Sequence, residues 1–387
     1  MTLKIAIAPN AFRGSLSALD AAQGIALGLA ASQLNCEVVF MPLADGGDGT
    51  LAVWLNSQPE GHWVTRRVSG PRGQHVEAAF GLSGQTALIE MARASGIELI
   101  TPTLRDPLFT TTFGTGELIG AAIDAGATEI LVGVGGSATV DGGAGCLQAL
   151  GARLLDTEGN DVPHGGGGLA HLAHIDVTPL TQRLEGVTIK VLCDVDNPLL
   201  GERGAGPVFG PQKGANAEAV KTLAANLAHY ADILKHDVGV DIGDMPRTGA
   251  AGGLSAGLMA VARAELVSGI ETIIIACGYD VRLAVGDIAL VITGEGKLDD
   301  QSEGGKAPVG MALAAHAYNI PVVALAGTLD ASATNLQRWH IASAQSIIRH
   351  PCTLDNALKH ADEWLIEAAT QLGNVLALGQ GLSLFKA

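Results

Sequence analysis

Short apolar runs alternate along this chain with longer segments of helical period, and glycine-rich polar turns separate them. LKIAIAPN reads as a strand closed by a Pro-Asn turn, and SLSALDAAQGIALGLAAS as a serine-capped helix. CEVVFMPLAD reads as a second strand, and GGDGTLAVWLN opens the next helix. This β-α-β-α order predicts a parallel sheet with crossover helices. The pattern then changes. VTRRVSGP, HVEAAFGLSG and TALIEMARAS read as successive strands with glycine turns, which predicts an antiparallel or mixed section.

Further along, GTGELIGAAIDAG reads as a helix, EILVGVGG as a buried strand, VDGGAGCLQALGARLL as a helix and IKVLCDVDN as a strand. NAEAVKTLAANLAHYADILKH has a strong helical period, and GAAGGLSAGLMAVARA reads as a glycine-initiated helix. From about Asp287 the simple alternation returns: IALVITGEG strand, GMALAAHAYN helix, IPVVALAGT strand, ASAQSIIRH strand. DNALKHADEWLIEAATQLGNVLAL then reads as one long amphipathic helix. The two ends match in style and the middle differs. The expected fold is α/β with two domains. A discontinuous flavodoxin-like parallel-sheet domain takes 1–75 plus 285–387, and an α/β domain with a mixed sheet, 76–284, is inserted in it.

A chain of 387 residues exceeds one ordinary core, and 48% hydrophobic against 16% charged residues makes burial easy. The formal net charge of −16 argues against nucleic acid and anionic membrane surfaces as partners. It leaves room for a small anion in a locally basic site. The 5 cysteines form no C-x-x-C and sit mostly in apolar runs, as expected for small buried hydrophobes in a reducing cytosol. MTLKIAIAPNAF has too short an apolar stretch for a signal peptide, and no run reaches the roughly 18 apolar residues of a membrane helix. The expected location is cytoplasmic.

In open parallel sheets, ligands bind beyond the carboxyl ends of strands. The expected strand ends are PNAFRGS, ADGGDGT, GGSATVDGGAG, DVDNPLLGERGAG and TGEGKLDDQ, and all but the first carry glycines with acids. One such end is ordinary turn chemistry. Repetition over so many ends, with Lys213, Lys297 and Lys306 added, suits phosphoryl transfer. Aspartates can hold Mg²⁺, and lysines and backbone N–H groups can neutralise phosphate charge. GVGGSATVDGGAG offers a strand-glycine-helix anion site with Ser137 and Thr139 as donors.

Competing motifs fail in detail. EGGKAP holds Gly305-Lys306, but Ala307 follows where a P-loop needs Ser or Thr. Neither GVGGSA nor TGEGKL completes a dinucleotide fingerprint. His164, His171 and His174 cluster without the frame of a metallohydrolase, and Ser137 lies outside a G-x-S-x-G elbow.

Along nearly its whole length the chain resembles the bacterial glycerate kinase family of the glycerate 2-kinase type. The resemblance is carried by PNAFRGSLSA, PLADGGDGT, ALIEMARASGI, TTFGTGELI, GVGGSATVDGGAGCLQALGARLLD, CDVDNPLLGERGAGPVFGPQKGA, GAAGGL and TGEGKLDDQSEGGKAPVG. It implies ATP- and Mg²⁺-dependent phosphorylation of D-glycerate to 2-phosphoglycerate. Three positions depart from the family pattern: Asn10-Ala11 stands for the usual Asp-Ser, Arg13 for Lys, and Val140 for Asn. Arg13 keeps the charge with a different geometry. Asn10 removes a carboxylate, which leaves open a kinase for another small hydroxy acid. A non-catalytic sugar-acid sensor is the further alternative.

Within that reading, Asp194 and Asp196 are expected to coordinate Mg²⁺ and supply the base, with Asn197 adding a neutral contact. Their alternating spacing puts both on one side if the strand continues. Asp45 and Asp48 are expected at the metal or the substrate hydroxyls, and Arg13 on the substrate carboxylate. Glu295, Asp299 and Gln301 are expected to bind substrate, with Lys297 and the catalytic Lys306 on phosphates and Asp300 on the surface. Gly135, Gly136, Ser137, Asp141 and Lys213 are expected around the nucleotide.

Overall fold

The computed structural model describes residues 2–300 and 306–384. The chain starts with β1 (Leu3–Pro9), the helix Ala18–Ala31 and β2 (Cys36–Phe40), then leaves for a second unit. There it forms the helix Thr50–Ser57, β3 (His62–Ser69), β4 (His75–Ser83), β5 (Thr86–Glu90), the helix Phe113–Asp124, β6 (Glu129–Gly133) and the helix Ala144–Ala149. It continues through β7 (Arg153–Leu155), β8 (His174–Asp176), β9 (Thr188–Leu192), the helices Ala217–Asp237 and Ala250–Ala262, and β10 (Glu265–Val267). It returns to the first unit with β11 (Leu290–Asp299), the helix Ala307–His316, β12 (Val322–Asp330), β13 (Ser343–Ser346) and the helix Ala361–Leu384. Among the described residues no helix is long and apolar enough to cross a membrane.

The first unit comprises Met1–Asp45 and Ile270–Ala387. Its sheet runs β2-β1-β11-β12-β13, and every pair is parallel. Counted within the unit, this is the doubly wound order 2-1-3-4-5, with its switch point between β1 and β11. Both faces of β1 are buried, as a sheet covered on both sides requires. Ile5 and Ile7 pack with Ile25 and Leu29 of the first helix and Trp364 and Leu365 of the last. Ala6 and Ala8 face Ile270, Met311 and Ala312 on the other side.

The second unit is the continuous stretch Gly46–Gly269, inserted between the two pieces of the first. Its six-stranded sheet runs β10-β9-β6-β5-β4-β3. The pairs from β10 to β5 are parallel, and β4 and β3 are added antiparallel, so the sheet is mixed as expected. β7 and β8 form a separate antiparallel ribbon.

Four local expectations change. The chain crosses into the second unit at Gly46 rather than after residue 75, because β3 pairs with β4 and Trp54 packs against the β4 glycine Gly81. It crosses back at Ile270 rather than at 285, because Ile270, Ile274 and Leu283 bury in the first unit's core. β11 does not end at its apolar run. It stays paired with β12 through Lys297↔Thr328 and Asp299↔Asp330. Gly294 and Gly327 make this possible, since a Cβ at either would collide with a backbone oxygen of the neighbouring strand. The single C-terminal helix is two, Leu354–Lys359 and Ala361–Leu384, broken at His360 (φ −106°, ψ 11°).

The first and last helices of the first unit touch through glycines. A Cβ at Gly28 would strike the Ile366 carbonyl oxygen, and its next neighbour, the Ala369 Cβ, would stand at 2.6 Å. Gly28→Ala should therefore lower stability by about 1–3 kcal/mol, although alanine is the better helix former by about 1 kcal/mol. Urea unfolding followed by circular dichroism reads this. An unchanged or higher midpoint would show that the helix pair tolerates the methyl group.

Candidate active site

In the second unit, the turn Gly46–Gly49 lies across the carboxyl ends of β6 and β9. Gly135 N donates to Gly46 O at 3.1 Å. A Cβ at Gly135 would come within 2.6 Å of Gly47 Cα, and one at Gly46 within 2.8 Å of Leu192 O. The glycines of ADGGDGT and GVGGSAT thus let backbone pack on backbone, which no side chain permits. Asp48 stands exposed at the rim of this turn, with its carboxylate beside Gly136. Among the described residues it takes part in no hydrogen bond or ion pair.

Beneath the loop lies a buried polar knot. Asp141 is fully buried and accepts from Thr112 N at 2.8 Å, Thr112 Oγ1 at 2.9 Å, Gly143 N at 3.1 Å and Gly145 N at 3.4 Å. Burial raises its carboxyl above the ordinary range, against the pull of those donors. Every partner donates, so the cradle fits the carboxylate form. Lys213, 3% exposed, donates to Ser137 Oγ at 2.7 Å and to the Thr139 carbonyl at 2.8 Å. Asp141 and Lys213 were expected to contact nucleotide. Both are hydrogen-bonded inside the protein, where they fix the shape of the Gly135–Ser137 loop. Ser137 itself is half-buried and Gly136 is exposed at φ +71°.

The CDVDN carboxylates diverge. β9 stops at Leu192, so alternation no longer governs residues 194 and 196. Asp194 Oδ1 accepts from Ser268 Oγ at 3.0 Å and Gly269 N at 2.9 Å. Asp196 is exposed, with Arg247 Nε at 3.5 Å from Oδ1. Asn197 Nδ2 donates to the Arg203 carbonyl at 2.8 Å. Among the described residues no three His, Cys, Asp or Glu side chains converge as a metal site.

A second cluster at this edge escaped the sequence reading. Glu90, the last residue of β5, is 4% exposed. Its Oε1 accepts Leu51 N at 2.9 Å, capping the helix Thr50–Ser57 from outside, and its Oε2 accepts Arg93 Nε at 2.6 Å. The Arg93 guanidinium lies 4.9 Å from the Trp63 ring centre. The available signal was an acid and an arginine three residues apart directly after an apolar strand, in EMAR.

In the first unit, the switch-point strands carry the charged ends. Asn10 N donates to Gly294 O at 2.8 Å, which ties the end of β1 to β11. Asn10 Oδ1 accepts Ala11 N at 2.8 Å, and its Nδ2 lies 3.5 Å from Asp45 Oδ2. Arg13 is exposed, and among the described residues no hydrogen bond or ion pair engages it. Glu295 and Asp299 are both 7% exposed on β11. Asp299 bridges Lys297 at 2.8 Å and Lys306 at 3.1 Å. These lysines hold its carboxyl down to about 2. Asp300 is exposed, as expected, and accepts from Asn335 Nδ2. Gln301 lies outside the described residues.

Burial pushes the Lys213 ammonium down from 10.5 to about 7, with Asp141 acting in the opposite sense. The folded protein then binds fewer protons than the unfolded chain between about pH 7 and 10.5. Stability contributed at this position is low below pH 7 and rises with pH across that window. Relative to Lys213→Met, the wild type should gain more than about 1.4 kcal/mol, one pKa unit, between pH 7 and 9.5 in denaturant titrations. A constant difference between the two proteins would refute the shift.

Residues 5–377 match the model of the glycerate kinase family. A Bacillus subtilis (strain 168) protein named glycerate kinase is 44% identical over 99% of this chain and 100% of its own length. An Escherichia coli (strain K12) protein named glycerate 2-kinase is 45% identical over 97% of this chain and 99% of its own. A crystal structure from Salmonella typhimurium LT2, provisionally named glycerate kinase 2, superposes with a TM-score of 0.86 at 45% identity, covering 98% of this chain and 100% of that one. The chain belongs to the glycerate kinase family and is an enzyme, a kinase.

Proposed function

We propose that this kinase transfers the γ-phosphoryl group of ATP to the 2-hydroxyl of D-glycerate, giving 2-phospho-D-glycerate and ADP, as a cytoplasmic enzyme. The near full-length similarity to the Escherichia coli protein named glycerate 2-kinase carries this reading. The strand-end chemistry agrees with it. Phosphoryl transfer needs positioning and charge neutralisation more than covalent participation.

Lys297 and Lys306 are the proposed phosphate ligands. Asp299 holds both, so the pair is pre-assembled, and one carboxylate against two ammonium groups leaves positive charge for a phosphate. Ser137 is the proposed donor to nucleotide oxygens, on a loop that Lys213 and Asp141 keep rigid. As the acceptor oxygen bonds to phosphorus, its O–H proton passes to a carboxylate and the bond to the ADP oxygen breaks. Asp196 is the proposed base, since it is exposed and only loosely paired. Asp194 is bound to Ser268 and Gly269 and is the proposed anchor for that segment.

The donor chemistry fits Mg²⁺. This cation keeps most of its water and needs only one or two carboxylates beside the nucleotide phosphates, and the exposed Asp196 carboxylate offers an oxygen ligand. When bound, the ion would neutralise charge on the transferring phosphoryl group.

Purified protein supplied with ATP, Mg²⁺ and D-glycerate should release ADP, and NMR of the product should place the phosphate at C2. ADP release at background sinks the reading. A product phosphorylated at C3 corrects the position, and preference for another acid in a substrate panel corrects the acceptor. Asp196→Asn should lower turnover at least about thirtyfold, roughly 2 kcal/mol, and leave ATP binding intact. A loss within about threefold, near 0.7 kcal/mol, would remove Asp196 from the role of base.

A further inference from the structure

We propose that the cavity formed by Asp48, Gly49, Glu90, Arg93, Glu98 and Gly136 is the acceptor subsite, with Arg93 gripping the carboxylate and Asp48 accepting from a hydroxyl. This inference rests on the small-hydroxy-acid reading above and names the residue that selects the acid.

The cavity measures about 270 Å³ and lies at the carboxyl ends of β5 and β6 within the second unit. It has room for a three-carbon acid and is small for a nucleotide. Arg93 is held from two sides. Glu90 takes its Nε at 2.6 Å, and the Trp63 ring backs its guanidinium plane at 4.9 Å. Glu90 is itself fixed by Leu51 N at 2.9 Å. Among the described residues nothing engages Arg93 Nη1 or Nη2, and the side chain is 35% exposed. A guanidinium pinned at Nε and open along its other edge is a pre-organised fork for a planar carboxylate.

Charge balance then chooses among anions. Glu90 already compensates Arg93, and Asp48 and Glu98 add negative charge at the rim. A nucleotide's multiply charged phosphates are repelled by that rim. A monocarboxylate brings a single charge to the guanidinium edge that Glu90 leaves open, and its hydroxyls donate to the rim carboxylates. The site chemistry therefore selects a hydroxy monocarboxylate. Gly136 keeps the wall thin, since a Cβ there would stand 3.0 Å from both Asp48 Oδ1 and the Ala92 Cβ. Arg13, the sequence candidate for the carboxylate, stands exposed in the first unit without such a clamp.

The test uses wild type and Arg93→Lys, which retains a cation for Glu90 but loses the fork. KM for D-glycerate should rise at least about tenfold, with KM for ATP unchanged. The preference for D-glycerate over its uncharged amide should shrink by the same factor. An equal loss for acid and amide, or a KM within twofold of wild type, overturns the assignment. The wild type gives a second readout that does not depend on folding of the variant. Modification of Arg93 by phenylglyoxal, mapped by mass spectrometry, should slow with D-glycerate and not with ATP. Protection without any turnover would leave the subsite standing and remove the kinase reading of the acceptor. If neither D-glycerate nor any acid in a panel of short-chain hydroxy acids protects Arg93, the subsite falls.

Discussion

Four donors converge on the Asp141 carboxylate in a place water does not reach, and the loops at the working edge of the second unit depend on that convergence. A buried carboxylate without such partners would cost several kcal/mol. With them it ties Thr112, at the start of one helix, to Gly143 and Gly145 around the start of another. Lys213 extends the network by two bonds to Ser137 and Thr139. The glycines finish the work by letting backbones touch. The result is an exposed surface at Gly136 and Asp48 whose shape is set from below, by groups no ligand meets.

This depth explains what was legible in the sequence. The alternation of apolar runs and helical periods predicts both sheets, including the antiparallel addition of β3 and β4, because it depends only on which residues face a core. The crossing points were not legible. VTRRVSGP is as good a strand for one sheet as for the other, and only pairing with β4 decides. The extension of β11 was hidden because its partner contacts are backbone bonds past glycines, which leave no apolar signature.

For the candidate site, residue types were legible and their wiring was not. An aspartate in a glycine-rich turn looks the same in sequence whether it caps, as Asp194 does, or stands free, as Asp48 does. Lys213 read as a phosphate ligand because nothing local announces its burial. Arg93 is hidden for the converse reason: in MARAS it resembles any polar residue on a short helix, and its orientation comes from Glu90 and the distant Trp63.

The discontinuity of the first unit has a consequence for synthesis. Its sheet needs β1 beside β11, and its first helix needs Ile366 and Ala369 against Gly28, so its core spans nearly the whole length of the chain. The second unit draws only on the continuous stretch Gly46–Gly269. Domains tend to fold as units while the ribosome is still at work, at roughly 5–20 residues per second. The second unit can thus close while β1 and the first helix wait. For the time it takes to make the remaining residues, a nascent chain exposes Ile5, Ile7, Ile25 and Leu29 to its surroundings. That waiting segment, rather than the larger inserted unit, is where a chaperone would find an apolar handle.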